Sequence, residues 1–136
     1  MAFTGNFTCD SFKNGLLEGA FNFDSGTFYI ALYTNNATLN ASTSEYTTTG
    51  EIVASGYTAG GQVLTPTQSS TGGTSFVSFA TVSWSGAFTA RGALIYKAGS
   101  NGAVCVLDFG ADKTSTTTFT VTFPTASSTD ALIRLS

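Results

Sequence analysis

Thr118-Phe119-Thr120-Val121-Thr122-Phe123 alternates hydroxyl-bearing and apolar side chains without a break. Successive side chains of a strand point to opposite faces, so this stretch reads as a half-buried β-strand. Phe119, Val121 and Phe123 face a core, and the threonines face water. A second stretch, Thr27-Phe28-Tyr29-Ile30-Ala31-Leu32-Tyr33-Thr34, is apolar on both faces. Phe28, Ile30 and Leu32 point one way; Tyr29, Ala31 and Tyr33 point the other. Such a strand is either central in its sheet or touches another protein on one side.

Working outward, further apolar runs follow at intervals of roughly 8 to 12 residues, with Gly, Asn and Ser clusters between them. They are Gln62 to Thr65, Phe76 to Trp84, Arg91 to Lys97, Ala103 to Phe109 and Leu132 to Leu135. Glu51-Ile52-Val53, Gly56-Tyr57-Thr58 and the Gln62 run read as an irregular strand pair bent at Gly60-Gly61, with Pro66 ending it. Lys97 to Gly102 is a hairpin connection whose turn signal is Asn101-Gly102. Asn35–Gly50 and Thr67–Ser75 are polar and read as loops; long loops are commonly functional or mobile. One segment breaks the β pattern. In 10–19, Phe12, Leu16 and Leu17 recur at helical spacing, Asp10 or Ser11 can cap the start and Gly19 can end it. The expected fold is all-β: a two-sheet antiparallel sandwich of about eight strands, jelly-roll-like, with one short N-terminal helix. At 136 residues it forms one domain, 1–136, with an N-terminal arm over 1–9.

Composition narrows the chemistry. Threonine and serine supply 40 of 136 residues, only 10 % are charged, and histidine is absent. Without His this chain has no Ser-His-Asp triad, no Cys-His pair and no His-ligated metal. A net charge of −3 argues against a nucleic-acid partner, which needs clustered Lys and Arg. No apolar run is long enough to span a bilayer as a helix. The N-terminus lacks a basic stretch followed by an apolar one, so no signal peptide is expected, and assembly in a cytoplasm follows. Cys9 and Cys105 match no metal spacing. They are expected as free buried thiols, with a disulfide as the alternative.

No motif supplies catalysis or a cofactor. Asp108-Phe109-Gly110 matches a kinase tripeptide by letters only, and reads as a strand end entering a turn. Asp108, Asp112 and Lys113 lack the spacing of a calcium loop; Asp112 is expected to turn onto backbone amides. The sequons at Asn6, Asn36 and Asn40 are expected to be silent without a secretory signal. The catalytic, cofactor and metal sets are therefore expected to be empty. Arg91 is expected to pair with an acid of its own domain or with a neighbouring subunit. Trp84 with Tyr29, Tyr33, Tyr46, Tyr57 and Tyr96 forms either core and interface or a sugar-stacking platform.

Six segments, in chain order, resemble a family of small β-rich virion proteins of tailed bacteriophages. They are Asp10-Ser11-Phe12-Lys13 with Leu16-Leu17-Glu18-Gly19, Phe28 to Tyr33, Gly56 to Gly61, Phe88 to Tyr96, Val106 to Lys113, and Phe119 to Pro124. The resemblance covers nearly the whole chain and brings no catalytic motif. It implies a capsid decoration (cement) protein on the virion exterior, with the major capsid protein as partner and self-association as a homodimer or homotrimer. Such a protein works by burying surface across subunit seams, with avidity from several contacts. The expected contact regions are the arm Met1–Thr8 and the loops Asn35–Gly50 and Thr67–Gly73. The residues expected to make capsid or subunit contact are Phe3, Phe7, Tyr29, Tyr33, Tyr46 and Arg91. Phe3 and Phe7 are costly to leave in water, so they dock on their own sheet or on a neighbour. The alternative function is a receptor- or glycan-binding module of a tail or head fibre; a small cell-wall hydrolase ranks last.

Overall fold

A computed structural model describes residues 3–136. Met1 and Ala2, the start of the expected arm, lie outside the described residues. Ten strands and one helix follow in the order β1 (Phe7–Thr8), α1 (Asp10–Glu18), β2 (Phe28–Tyr33), β3 (Gln62–Leu64), β4 (Pro66–Thr71), β5 (Thr74–Phe79), β6 (Val82–Ser85), β7 (Thr89–Lys97), β8 (Ala103–Thr114), β9 (Thr118–Val121) and β10 (Ile133–Leu135). They build three antiparallel sheets: five strands in the order β1-β8-β7-β2-β3, three as β10-β5-β4, and the pair β6-β9. The chain is thus mostly β, with a single short helix. No helix among the described residues is long and apolar enough to cross a membrane.

β2 lies between β7 and β3, which accounts for its two apolar faces. Phe28, Ile30, Ala31, Leu32 and Tyr33 are all fully buried. The alternation in 118–123 holds: Phe119, Val121 and Phe123 are buried while the threonines between them are exposed. Buried residues from all three sheets join one continuous core. Aromatic rings stitch it together. Phe23 stacks on Phe28 at 4.4 Å and meets Phe12 and Phe79 edge-on, tying α1, β2 and β5. Phe88 stacks on Phe119 at 5.3 Å, tying the approach to β7 onto β9. Such pairs add about 0.5–1.5 kcal/mol beyond area burial.

Several boundaries differ from the sequence reading. Thr67–Ser75 is not a loop. It is most of the hairpin β4–β5, turned by Gly72 and Gly73, both at positive φ. β4 is an edge strand exposed on both faces, so no hydrophobic alternation marks it. Pro66 opens β4 instead of ending a strand. Phe76–Trp84 divides at Ala80-Thr81 into strands of two different sheets. Glu51–Thr58 forms no strand; only a single bridge, Tyr33 to Glu51, remains there. In α1 the cap position is Cys9, without a side-chain cap, and Gly19 ends the helix as expected. Phe12 and Gly15 face the core, and Leu17 is 90 % exposed. Gly15 is required by packing, since a Cβ there would lie 2.5 Å from the Phe21 ring.

From Phe3 onward the N-terminal arm docks on its own sheet. Phe3 is buried, and its ring fills the space that Gly92 leaves on β7: a Cβ on Gly92 would lie 2.4 Å from that ring and 2.5 Å from the Leu107 carbonyl oxygen. Phe3→Ala is expected to cost about 3 kcal/mol, the usual range for deleting a core phenyl ring. Gly92→Ala is expected to destabilise the wild type more than the Phe3→Ala background, because the ring clash is then gone and only the Leu107 clash persists. A double-mutant cycle by urea unfolding reads this sub-additivity; additive losses would place the Phe3 ring elsewhere.

Candidate functional site

Among the described residues the one buried acidic side chain is Glu51, 6 % exposed. It lies on the segment that precedes β3 and is bridged to Tyr33, at the outer edge of β2 beyond the reach of β3. Its carboxylate accepts three hydrogen bonds, all from neutral donors. Tyr46 Oη donates to Oε1 at 2.6 Å, Tyr57 Oη donates to Oε2 at 2.6 Å, and the Gly60 amide donates to Oε2 at 2.8 Å. Among the described residues the ion pairs are Lys13–Asp10 and Arg91–Asp108, so no cation faces Glu51. Hydrogen bonds to a charged group are worth about 1.5–3 kcal/mol each, which is how a carboxylate is held without a counter-ion.

The donors are themselves fixed. Tyr57 Oη accepts from the Leu32 amide at 2.9 Å, so this phenol links strand backbone to carboxylate. Tyr96 Oη donates to the Gly60 carbonyl at 2.6 Å, and Tyr33 Oη donates to the Thr47 carbonyl at 2.6 Å. Tyr46 stacks on Tyr96 at 4.6 Å, and Tyr96 stacks on Tyr29 at 5.9 Å. Gly61 lets this segment approach β2: at φ +81° it lies so close that a Cβ would overlap the Ile30 carbonyl oxygen. Burial, followed by the nearby Glu51 carboxylate, pushes the Tyr96 phenol up to about 12 and raises the phenols of Tyr33, Tyr46 and Tyr57 further. The cluster is closed and fully bonded. Its chemistry is that of a lock: both carboxylate oxygens of Glu51 and the hydroxyls of Tyr33, Tyr46, Tyr57 and Tyr96 are hydrogen-bonded within the fold.

The residues expected to make contacts fall into two groups. Phe3 and Tyr33 are buried in the chain's own core. Arg91 is engaged inside the chain: its Nε lies 3.0 Å from Asp108 Oδ1, and both side chains are largely covered. Asp108, held below its ordinary value by that guanidinium, also accepts from the Gly110 amide at 2.8 Å. The side-chain turn expected of Asp112 thus belongs to Asp108. Phe7, Tyr29 and Tyr46 are half-buried. Trp84 and Tyr57 cannot join a sugar-stacking platform, because Trp84 is 2 % exposed and Tyr57 stacks on it inside the core. Cys9 and Cys105 are free, buried thiols; burial raises Cys9 to about 11 and lifts Cys105 as well.

The loop Asn35–Gly50 is anchored. Ala37 and Leu39 are buried, the Ala103 amide donates to the Ser44 carbonyl and the Tyr46 amide to the Asn101 carbonyl. The surface instead offers apolar side chains that sequence reasoning did not single out. Val53 (97 % exposed) and Val63 both lie on the segments covering the outer edge of β2. An apolar cleft of about 360 Å³ runs between α1 and β5, lined by Phe12, Leu16, Phe21, Phe23 and Val77, with Asp24 as its one titratable wall residue. Comparisons with protein-family models, with curated proteins and with solved structures find no match to this chain.

Glu51→Ala is expected to cost about 3 kcal/mol or more, because two phenols and an amide lose a charged acceptor. Glu51→Gln is expected to cost about 1–2 kcal/mol, since the amide oxygen still accepts. Tyr57→Phe, which also strands the Leu32 amide, falls between them. Urea unfolding ranks the three. Alkali supplies a second check. The folded state holds protons that the unfolded chain releases near pH 9 for thiols and near pH 10 for phenols. The unfolded state therefore binds fewer protons above those values, and stability falls as pH rises. Stability is expected to be intact below pH 9 and lost between about pH 9 and 12, with tyrosinate absorbance and loss of near-ultraviolet circular dichroism appearing together.

Proposed function

We propose that this chain is a non-enzymatic structural protein of a tailed-phage virion, decorating the capsid exterior and stabilising the head by bridging neighbouring major capsid proteins. One observation carries the reading. Val53 and Val63 stand exposed on segments that the sealed Glu51 cluster holds rigidly against β2. A rigid apolar edge suits binding by contact, because pre-organisation lowers the ordering cost of association. The resemblance of its segments to phage virion proteins supplies the biological setting. In this reading the three-stranded and two-stranded sheets together form the layer that faces the five-stranded sheet. The result is a sandwich with jelly-roll-like connections. The copies act as homodimers or homotrimers, assembled in the host cytoplasm without nucleic acid or membrane.

The glycan-binding alternative draws no support from Trp84 and Tyr57, whose rings stack on each other in the core. Copy number is the decisive measurement for the head reading. Gel densitometry of purified virions is expected to give hundreds of copies in simple ratio to the major capsid protein; a dozen or fewer would assign the chain to portal, tail or fibre. Val53→Asp combined with Val63→Asp is expected to leave the isolated protein folded and to lower its occupancy on particles at least about tenfold. Particles lacking the protein are expected to release DNA at a lower temperature than decorated ones.

A further inference from the structure

Sheet edges decide where a β protein can pair with another chain, because each carries a row of unpaired main-chain donors and acceptors. Most edges here are short, bonded or charged. β1, β3 and β10 span two or three residues, and β10 carries Arg134. The edge of β6 is occupied by Gln62, whose Nε2 donates to the Ser83 carbonyl at 2.6 Å. The part of β8 beyond β1 carries Asp108, Asp112 and Lys113, and its Asp108 amide is taken by Asn6. The free edge of β9 is uncharged too, but β9 has only four residues. β4 is the longest uncharged edge among the described residues: its six residues, Pro66-Thr67-Gln68-Ser69-Ser70-Thr71, carry no charge, and no hydrogen bond among the described residues reaches its outer side.

The register fixes which groups point outward. Thr65 and Ala80 form a hydrogen-bonded pair, the Ala80 amide donating to the Thr65 carbonyl at 3.0 Å. Hydrogen-bonded and non-bonded pairs alternate along an antiparallel ladder. Thr67, Ser69 and Thr71 therefore aim their main-chain groups at β5, while Gln68 and Ser70 aim theirs at solvent. Pro66 belongs to the outward set, where its missing N–H costs the ladder nothing.

We propose that β4 is the interface through which two copies of this chain pair, antiparallel about a two-fold axis at Ser69. In that register Gln68 of each copy faces Ser70 of the other, and each such pair exchanges both main-chain hydrogen bonds. A shift that centres the axis on Gln68 would pair Ser70 with Pro66, which has no N–H to give. A shift that centres it on Ser70 would pair Gln68 with the turn at Gly72. The side chains agree with the Ser69 axis. Thr67 meets Thr71 in non-bonded pairs, where Thr–Thr contacts stabilise, and Ser69 meets its own copy. Charge complementarity is met by neutrality: any charged residue at the axis would face its own like. The occupant is therefore a second copy of β4, and the product is one continuous six-stranded sheet. A single strand pair buries less than a standard interface, so the dimer belongs to the weak, concentration-dependent class. This inference rests on strand geometry alone and does not depend on the virion reading.

Analytical ultracentrifugation of the intact protein tests it. Apparent mass is expected to rise from 14.0 kDa toward twice that value with concentration. Ser69→Lys sets two ammonium groups against each other and is expected to weaken association at least about tenfold with unchanged thermal unfolding. Ser70→Pro removes an outward N–H, leaves every bond to β5 and is expected to act likewise. Ser69→Cys is expected to form a disulfide-linked dimer on mild oxidation, and Thr67→Cys, which faces Thr71, is not. A wild type that stays monomeric up to about 1 mM, the concentration at which a contact of about 4 kcal/mol half-associates, would overturn the proposal. So would a dimer indifferent to Ser69→Lys, or cysteine crosslinking no faster at 69 than at 67.

Discussion

The outer edge of β2 is where this fold is most exposed to failure, and the carboxylate of Glu51 is what closes it. β3 covers only Phe28 to Ile30. Beyond it, Leu32 presents an amide and a carbonyl with no strand to receive them. The Ile52 amide takes the carbonyl at 3.0 Å, and the Tyr57 phenol takes the amide at 2.9 Å. A phenol can accept there only if its own proton has somewhere to go, and Glu51 Oε2 is that place. A buried main-chain group left without a partner costs about as much as a lost hydrogen bond, so a strand edge is completed here by one side chain and one carboxylate. Tyr46, Tyr57 and Gly60 are then all bonded to the same two oxygens.

The same economy governs the other charges. Five basic and eight acidic side chains serve 136 residues. Arg91 and Asp108 consume each other across the β7–β8 ladder beside a register shift. Polarity at the surface falls to hydroxyls. Ser83 meets Thr120 at 3.0 Å, and Thr89 meets Thr114 at 2.8 Å, each pair bridging two strands. Threonine does two jobs at once: its branched side chain favours strand geometry and its hydroxyl satisfies water. A composition of 24 threonines is thus what a sheet surface looks like when charge is withheld from it.

Legibility followed burial asymmetry. β9 could be read because one face is wet and the other dry, and β2 because both are dry. β4 could not, because both its faces are wet and period-two patterning vanishes when neither side is buried. The anchoring of Asn35–Gly50 was hidden for a related reason. It rests on Ala37 and Leu39, two modest apolar residues in a polar stretch, and on main-chain bonds that carry no side-chain signature. Glu51 was visible only as one carboxylate among eight. The sequence signal was present in its setting: an acid leading directly into Ile52-Val53, with tyrosines five residues before it and six after. An acid next to an apolar run, with phenols within loop reach and no base nearby, marks a carboxylate that is buried and bonded by neutral donors.

A surface built this way has a consequence for recognition. Where charges are few, long-range steering is weak, and association depends on shape, apolar contact and main-chain edges. The exposed features of this chain are of those kinds: Val53 and Val63 beside a completed edge, and β4 as an edge left open. The two are complementary in physical type. The valines gain by leaving water, which needs no particular partner orientation. The open edge gains only from another strand in register, which demands one. In the proposed capsid role both are used, a tolerant contact for the surface beneath and a directional one for its own neighbour. The Glu51 lock keeps the first rigid, and the absence of charge on β4 keeps the second self-compatible.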